Sequence, residues 1–334
     1  MKIAFFEIQN WEKTILKKKL KNHSLQFFSE PINESFLPKI KDIDLLSVFI
    51  YSKLDDKILK KLPKLKIIIT RSTGFDHISL PACKKRKIKV CNRPSYGDNT
   101  VAEHTFALIL ALSRKTHKAY LRAQKDDFTI KGLQGFDLEN KTLGVIGTGK
   151  IGKHVIRIAR GFGMKVLAYD KFPDSSLANE LNFNYAPLTQ LLKKSDIITL
   201  HIPLLKQTKY LINSSRLKQM KSSAILINTS RGEIVDTTAL LNALDNKKIA
   251  GAGLDVIEGE VLIKEEKELL HKKTNPEAWK QIIENHAIID NENVVFTPHI
   301  AFYSKEALHR IIENTIQNIK DFDKNKLNKE YIVC

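Results

Sequence analysis

Four side chains able to do chemistry close successive apolar runs in the second half of the sequence: His201 after 196–200, Arg231 after 224–228, Asp255 in 250–256 and His299 after Phe296. The planar guanidinium of an arginine holds a carboxylate bidentately and polarises a neighbouring carbonyl. A histidine gives or takes a proton near neutral pH, and a carboxylate on its other ring nitrogen fixes the tautomer and stabilises the imidazolium. Arg231 and His299 therefore suit a small acid whose carboxylate lies beside a carbonyl. Glu258 and Glu260 both stand at a spacing to partner the histidine, and spacing does not choose between them. Taken singly, each has an ordinary explanation: an ion pair of Arg231 with Glu233, a helix cap at His299, surface acids at the glutamates.

A fifth feature supplies the direction of the chemistry. The apolar run 141–146 reads as a buried strand, and 150–162 carries helical spacing through Ile151, Val155, Ile158, Ala159 and Phe162. Between them lies G-x-G-x-x-G. Gly147 permits the tight turn, Gly149 lets the backbone approach a pyrophosphate, and Gly152 lets helix and strand pack closely. A second strand, 165–169, ends at Asp170, placed to accept hydrogen bonds from the adenosine ribose of NAD. A 2′-phosphate ~4 Å from that carboxylate would be repelled by ~4 kcal/mol per unit charge at an effective dielectric of 20, and Lys171 offsets only part of this, so NAD is expected over NADP.

These residues need a scaffold, and the alternation of strand-like and helix-like patterns implies parallel α/β units. In residues 1–98, strands are expected at 3–6, 26–28, 45–50 and 65–70, with helices near 12–20, 55–62 and 80–85. Arg71-Ser72-Thr73-Gly74-Phe75-Asp76-His77 follows the last of these strands, where Gly74 allows several amides to point one way as an anion nest. A turn-rich connector, 90–99, leads into an apolar helix, 100–113, that must be buried between layers or against another subunit; His104 in it reads as a packed histidine. His201, Arg231, Asp255 and His299 then fall at carboxyl ends of strands, where a doubly wound sheet opens its crevice. A helical tail, 304–321, is free to return to the first domain.

Composition bounds the rest. The chain has 334 residues, 43% hydrophobic and 8% aromatic, enough for two domains with sizeable cores. Cys83, Cys91 and Cys334 show no metal or disulfide spacing, no stretch has the length of a membrane span, and the N-terminus lacks signal-peptide character, so a cytoplasmic protein with no metal and no membrane partner is expected. The net charge of +18 would suit an anionic polymer, but it comes from scattered lysines with few arginines, which argues for a solvated surface and no nucleic-acid partner.

The chain resembles the D-isomer-specific 2-hydroxyacid dehydrogenases. The likeness is carried by Arg71 to Asp76, Asn99-Thr100-Val101-Ala102-Glu103-His104, Gly144 to Gly152, His201-Ile202-Pro203-Leu204, Ile227 to Gly232, Gly253 to Val256 and Thr297-Pro298-His299, in the family's order over nearly the whole length. The resemblance implies an α/β protein with a flavodoxin-like substrate domain (1–98 and 301–334) and a Rossmann NAD-binding domain (99–300), a cleft between them, and a homodimer. It implies Arg231, Glu260 and His299 as catalytic residues. For NAD it adds contacts from Lys150, Ile151, Asp170, Ile202, Pro203, Thr208, Thr229, Ser230, Arg231 and Asp255 to the three glycines. Pro94-Ser95-Tyr96 and His299 to Tyr303 look most like the D-lactate dehydrogenase branch, which implies substrate contacts from Thr73, Gly74, Tyr96, Arg231 and Phe302. The expected reaction is the reduction of pyruvate to D-lactate with NADH, and its reverse. Alternatives of the same family are another 2-oxo acid, a glycerate-type acid, phosphite, or an NAD(H)-sensing corepressor. The Lys/Glu-rich segment between Glu260 and His299 is longer than in many relatives, and surface helices are expected in 261–273 and 276–285.

Overall fold

The computed structural model describes residues 1–92, 95–260, 262 and 276–334. Pro94 and nearly all of the expected helix at 261–273 lie outside the described residues. The chain divides into two compact units, Met1–Tyr96 with Ser304–Cys334, and Gly97–Tyr303.

The first unit is built on five parallel strands: β1 (Lys2–Phe5), β2 (Ser24–Phe27), β3 (Leu45–Val48), β4 (Ile67–Thr70) and β5 (Lys89–Cys91). Their order β2-β1-β3-β4-β5 is the flavodoxin-like 2-1-3-4-5. β3 and β4 are buried at every residue, as continuous apolar runs must be when helices cover both faces of a parallel sheet. The helix Lys305–Asp323, capped by Ser304, presses Ile312, Ile316 and Ile319 onto Ile3, Phe5 and Leu16. Beyond it Ile332 pairs antiparallel with Cys91, so the last residues extend the β5 edge.

The second unit has seven parallel strands: β6 (Thr142–Ile146), β7 (Lys165–Tyr169), β8 (Asn184–Tyr185), β9 (Ile197–Leu200), β10 (Ile225–Asn228), β11 (Gly251–Leu254) and β12 (Val294–Phe296). The order β8-β7-β6-β9-β10-β11-β12 is the Rossmann order 3-2-1-4-5-6 with one further edge strand. The apolar helix is Asp98–Arg114, and it is buried inside this unit, with Ala102, Phe106, Ile109 and Leu112 in one cluster with Val145, Val155 and Ile227. Gly253 on β11 admits it: a Cβ there would stand 3.0 Å from Leu108 Cβ and 3.2 Å from Leu112 Cδ1. The segment 276–285 belongs to the helix Pro276–Ile289, which buries Ile282, Asn285 and Ile288.

Candidate active site

The reversal of strand order at β6 and β9 opens the crevice that the glycine loop enters. Gly147 has φ +98°, and a Cβ there would strike the His201 carbonyl oxygen, so this turn admits glycine alone. Gly149 stands at the start of the helix Lys150–Gly161, which no side chain caps, and a Cβ on it would meet nothing within 4 Å. Room and helix-end amides, the two things a pyrophosphate requires, therefore coincide. Asp170, just past β7, is already oriented. Its Oδ2 accepts from Thr148 N at 2.7 Å and Thr148 Oγ1 at 3.1 Å, and its Oδ1 from Phe172 N at 2.9 Å. A carboxylate oxygen accepts more than one donor, so capacity remains for ribose hydroxyls. The residues fit a dinucleotide.

Ile202 and Pro203 follow β9, and the Thr208 hydroxyl closes their loop by donating to the Pro203 carbonyl and accepting from Leu205 N, both at 2.7 Å. The His201 ring turns inward. Its Nε2 lies 2.9 Å from Thr199 Oγ1, its Nδ1 is shielded without a partner, and burial lowers its pKa to about 3, so it stays neutral in the working range.

At the end of β10, Asn228 shapes the turn by donating to the Arg231 carbonyl at 2.8 Å and accepting from Ser230 N at 3.0 Å. Ser230 Oγ donates to the Leu200 carbonyl at 2.5 Å, and Thr229 Oγ1 lies 3.1 Å from Thr105 Oγ1. Arg231 is extended, with Nη1 donating to the Ser230 carbonyl at 2.7 Å.

His299 occupies the left-handed region with φ +57°, which costs a side-chain-bearing residue ~1–2 kcal/mol. Asp255 holds it there. Its carbonyl accepts from His299 N at 2.8 Å, its Oδ1 from Ile300 N at 2.9 Å and its Oδ2 from Ala301 N at 2.9 Å. Thr297 Oγ1 donates to Oδ1 at 2.6 Å, and His104 Nε2 lies 2.9 Å from that hydroxyl. The Asp255 side chain, 0% exposed, thus serves the backbone around His299.

The two glutamates part company. Glu260 Oε1 is 2.8 Å from His299 Nδ1, whereas Glu258 accepts from Tyr210 OH at 2.5 Å and Thr237 Oγ1 at 3.1 Å. The Phe302 ring lies edge-on to His299 with centroids 6.5 Å apart. The second unit thus brings Glu260, His299, Asp255 and Phe302 together and sets Arg231 at a neighbouring strand end.

Thr73, Gly74 and Tyr96 belong to the first unit. Its nest loop is pinned by Asn92 Nδ2 donating to the Thr73 carbonyl at 2.7 Å and Ser72 Oγ donating to the Gly74 carbonyl at 2.6 Å. Arg71 is buried, and its Nη2 donates to the Phe6 and Glu7 carbonyls at 2.7 and 2.8 Å. The buried Tyr96 has its carbonyl held by Arg310 Nε at 2.6 Å. Among the described residues, no group of three or more His, Cys, Asp and Glu could hold a metal, and no helix is long and apolar enough to cross a membrane.

The sequence reading missed the service of His104 and Thr297 to Asp255, and of Asn285 to the Glu258–Glu260 turn. The signal for Asn285 was an amide on the apolar face of its helix.

Residues 106–301 match the family model described as the D-isomer specific 2-hydroxyacid dehydrogenase, NAD binding domain. The chain belongs to the D-isomer-specific 2-hydroxyacid dehydrogenases. It is an NAD-dependent oxidoreductase of that family, and NAD is its cofactor. D-lactate dehydrogenase of Escherichia coli is 35% identical over 98% of each chain. Glyoxylate reductase of Pyrococcus furiosus is 34% identical over 98% of this chain and 90% of its own. The solved D-lactate dehydrogenase of Aquifex aeolicus, complexed with NAD and lactic acid, superposes with a TM-score of 0.89 at 39% identity, covering 99% of this chain and 98% of its own. Those likenesses place this dehydrogenase in the D-lactate branch.

Proposed function

We propose that this dehydrogenase reduces pyruvate to D-lactate with NADH and catalyses the reverse. The observation that carries the reading is the 2.8 Å bond between His299 Nδ1 and Glu260, which commits that nitrogen to a carboxylate and leaves Nε2 for a substrate oxygen. Bound NADH supplies the hydride at the carbonyl carbon. His299 then gives its proton to the developing alkoxide, and Glu260 stabilises the protonated ring before that transfer. In the reverse direction the same nitrogen takes the hydroxyl proton. Arg231 binds the carboxylate and draws electron density from the carbonyl. Asp255 keeps the left-handed turn that presents His299.

Gly147, Gly149, Gly152, Lys150 and Ile151 hold the pyrophosphate in this reading, Asp170 the ribose, and Ile202, Pro203, Thr208, Thr229 and Ser230 line the remainder of the cofactor site. Thr73, Gly74, Tyr96 and Phe302 select the acid. Glyoxylate is the second substrate reading, favoured by the Pyrococcus relative. One methyl group is worth only ~1–3 kcal/mol in an apolar pocket, so both acids belong in the assay. NADH oxidation by the purified protein should be robust with pyruvate. Tight NADH binding with no turnover of any 2-oxo acid would defeat the proposal and favour a sensor.

A cytoplasmic homodimer completes the reading. The helix Thr116–Ala123 buries none of its residues, and Tyr120, Leu121, Phe128 and Ile130 are 59–85% exposed on it and the following loop. Large apolar side chains left this exposed along one segment favour a protein interface. Phe128→Asp with Ile130→Asp should shift sedimentation from dimer to monomer, and a wild-type monomer would remove the dimer from the proposal.

A further inference from the structure

A polar cluster behind Glu260 has no part in the reaction as proposed. Asn285 is 0% exposed, on a helix face otherwise given to Ile282 and Ile288. An amide buried there loses its hydration, and it is tolerated because both ends are paired. Its Nδ2 donates to the Glu258 carbonyl at 2.9 Å, and its Oδ1 accepts from Gln281 Nε2 at 3.0 Å. The side chain of the same Glu258 is gripped by the hydroxyls of Tyr210 and Thr237. Glu258 is therefore fixed at its main chain by one element and at its carboxylate by two others.

The next residue is the flexible joint. Gly259 has φ +67°, and a Cβ there would approach Gln281 Cγ to 3.0 Å, so the turn needs glycine and lies directly against the helix that carries Asn285. Glu260 comes immediately after it, held locally by a 3.2 Å bond from its amide to the Ile257 carbonyl. A 2.8 Å bond from Leu262 N to the Gly259 carbonyl closes the main chain on the other side, but neither bond holds the side chain, and a glycine turn left to itself would let the Glu260 carboxylate swing. A swing of ~1 Å removes a 2.8 Å hydrogen bond and costs on the order of 10²-fold in a reaction that depends on it.

We infer that Asn285 and Glu258, with Tyr210, are positioning residues: they clamp the Gly259 turn and so hold the Glu260 carboxylate on His299 Nδ1. The inference rests on the catalytic reading of that pair. Among the described residues, the polar groups bonded to His299 are Glu260 at its ring and the Asp255 and Thr297 carbonyls at its backbone, with His104 reaching the Asp255 carboxylate. Asn285 and Tyr210 reach the ring through Glu258 and the turn.

The test uses the full chain in three variants, Asn285→Ala, Tyr210→Phe and, as reference, Glu260→Gln. One readout needs no turnover: the far-downfield proton resonance of a histidine N–H bonded to a carboxylate, assigned by its loss in Glu260→Gln. The other is kcat against KM for NADH with pyruvate. Asn285→Ala should move the resonance upfield and lower kcat by ~10- to 100-fold, with KM for NADH within about twofold. Tyr210→Phe, at the exposed end of the clamp, should act in the same direction by ~3- to 10-fold. An unchanged resonance and kcat in folded Asn285→Ala overturns the inference, and should that variant fail to fold, the same result in Tyr210→Phe overturns it. A wild-type protein lacking the resonance also overturns it. A resonance that responds to both variants in a protein that reduces no 2-oxo acid supports the clamp and removes the proposed reaction.

Discussion

Replacing Asp255 with asparagine changes one atom and tests how the proton donor is presented. The carboxylate is 0% exposed and accepts from Thr297 Oγ1 at 2.6 Å, Ile300 N at 2.9 Å and Ala301 N at 2.9 Å. Asparagine keeps one acceptor oxygen and puts an NH2 in place of the other. If the oxygen stays with Thr297 and Ile300, the buried Ala301 amide faces a second donor, and an unsatisfied buried N–H costs ~1–3 kcal/mol. The remaining bonds also lose their charge assistance. The sum, ~3 kcal/mol of lost holding energy, leaves the ~1–2 kcal/mol cost of the left-handed His299 no longer offset, so the turn relaxes. For a unit of this size the melting temperature should fall by ~6–12 °C. The displaced imidazole should lower kcat for pyruvate by ~10²-fold. NADH affinity, read by fluorescence quenching, should change by less than ~3-fold, because the carboxylate is turned to the protein backbone. A melting point within ~1 °C of wild type, or an affinity loss as large as the kcat loss, would refute this account.

Three further outcomes are expected. His299→Ala should lower kcat by ~10² to 10⁴-fold with NADH binding retained, and unchanged turnover in a rapid-mixing assay would remove this ring from the mechanism. Asp170→Ala should narrow the preference for NADH over NADPH in kcat/KM, and a ratio that does not move would contradict the ribose assignment. His201 takes up a proton near 6.5 when unfolded but only at about 3 when folded, because burial opposes the charge. Between those values the unfolded chain binds the extra proton, so stability is lost as pH falls, by up to ~1.4 kcal/mol per pH unit. Urea titrations of His201→Asn between pH 7 and pH 4 should show a shallower decline, and an equal slope would mean that the ring is hydrated.

Much of this arrangement was legible in the residues. The strands come from unbroken apolar runs such as 67–69 and 225–227, and parallel sheets covered on both faces demand such runs. The geometry of the glycine loop was readable because glycine spacing, flanking strand, helix and Asp170 all constrain one turn. The choice between Glu258 and Glu260 was not, since both precede or follow the same glycine and only the fold decides which carboxylate meets His299 and which meets Tyr210. Asp255 shows another limit: its position at a strand end was clear, but its carboxylate serves amides contributed by residues 300 and 301. Such long-range pairings leave no periodicity behind. Asn285 was hidden for the same reason, with an amide among isoleucines as its one trace.

The first sheet is completed by both ends of the chain, with residues 97–303 inserted between them. During synthesis a ribosome releases β1 to β5 about two hundred residues before the helix Lys305–Asp323 that covers Ile3 and Phe5. Until then that apolar face has only part of its native cover, from Leu16 and Leu20 of the helix Asn10–Lys19 and its end, and the part left open is the face a chaperone would guard. A stop codon near residue 304 would therefore harm most the unit translated first, while sparing the cofactor-binding unit its own core.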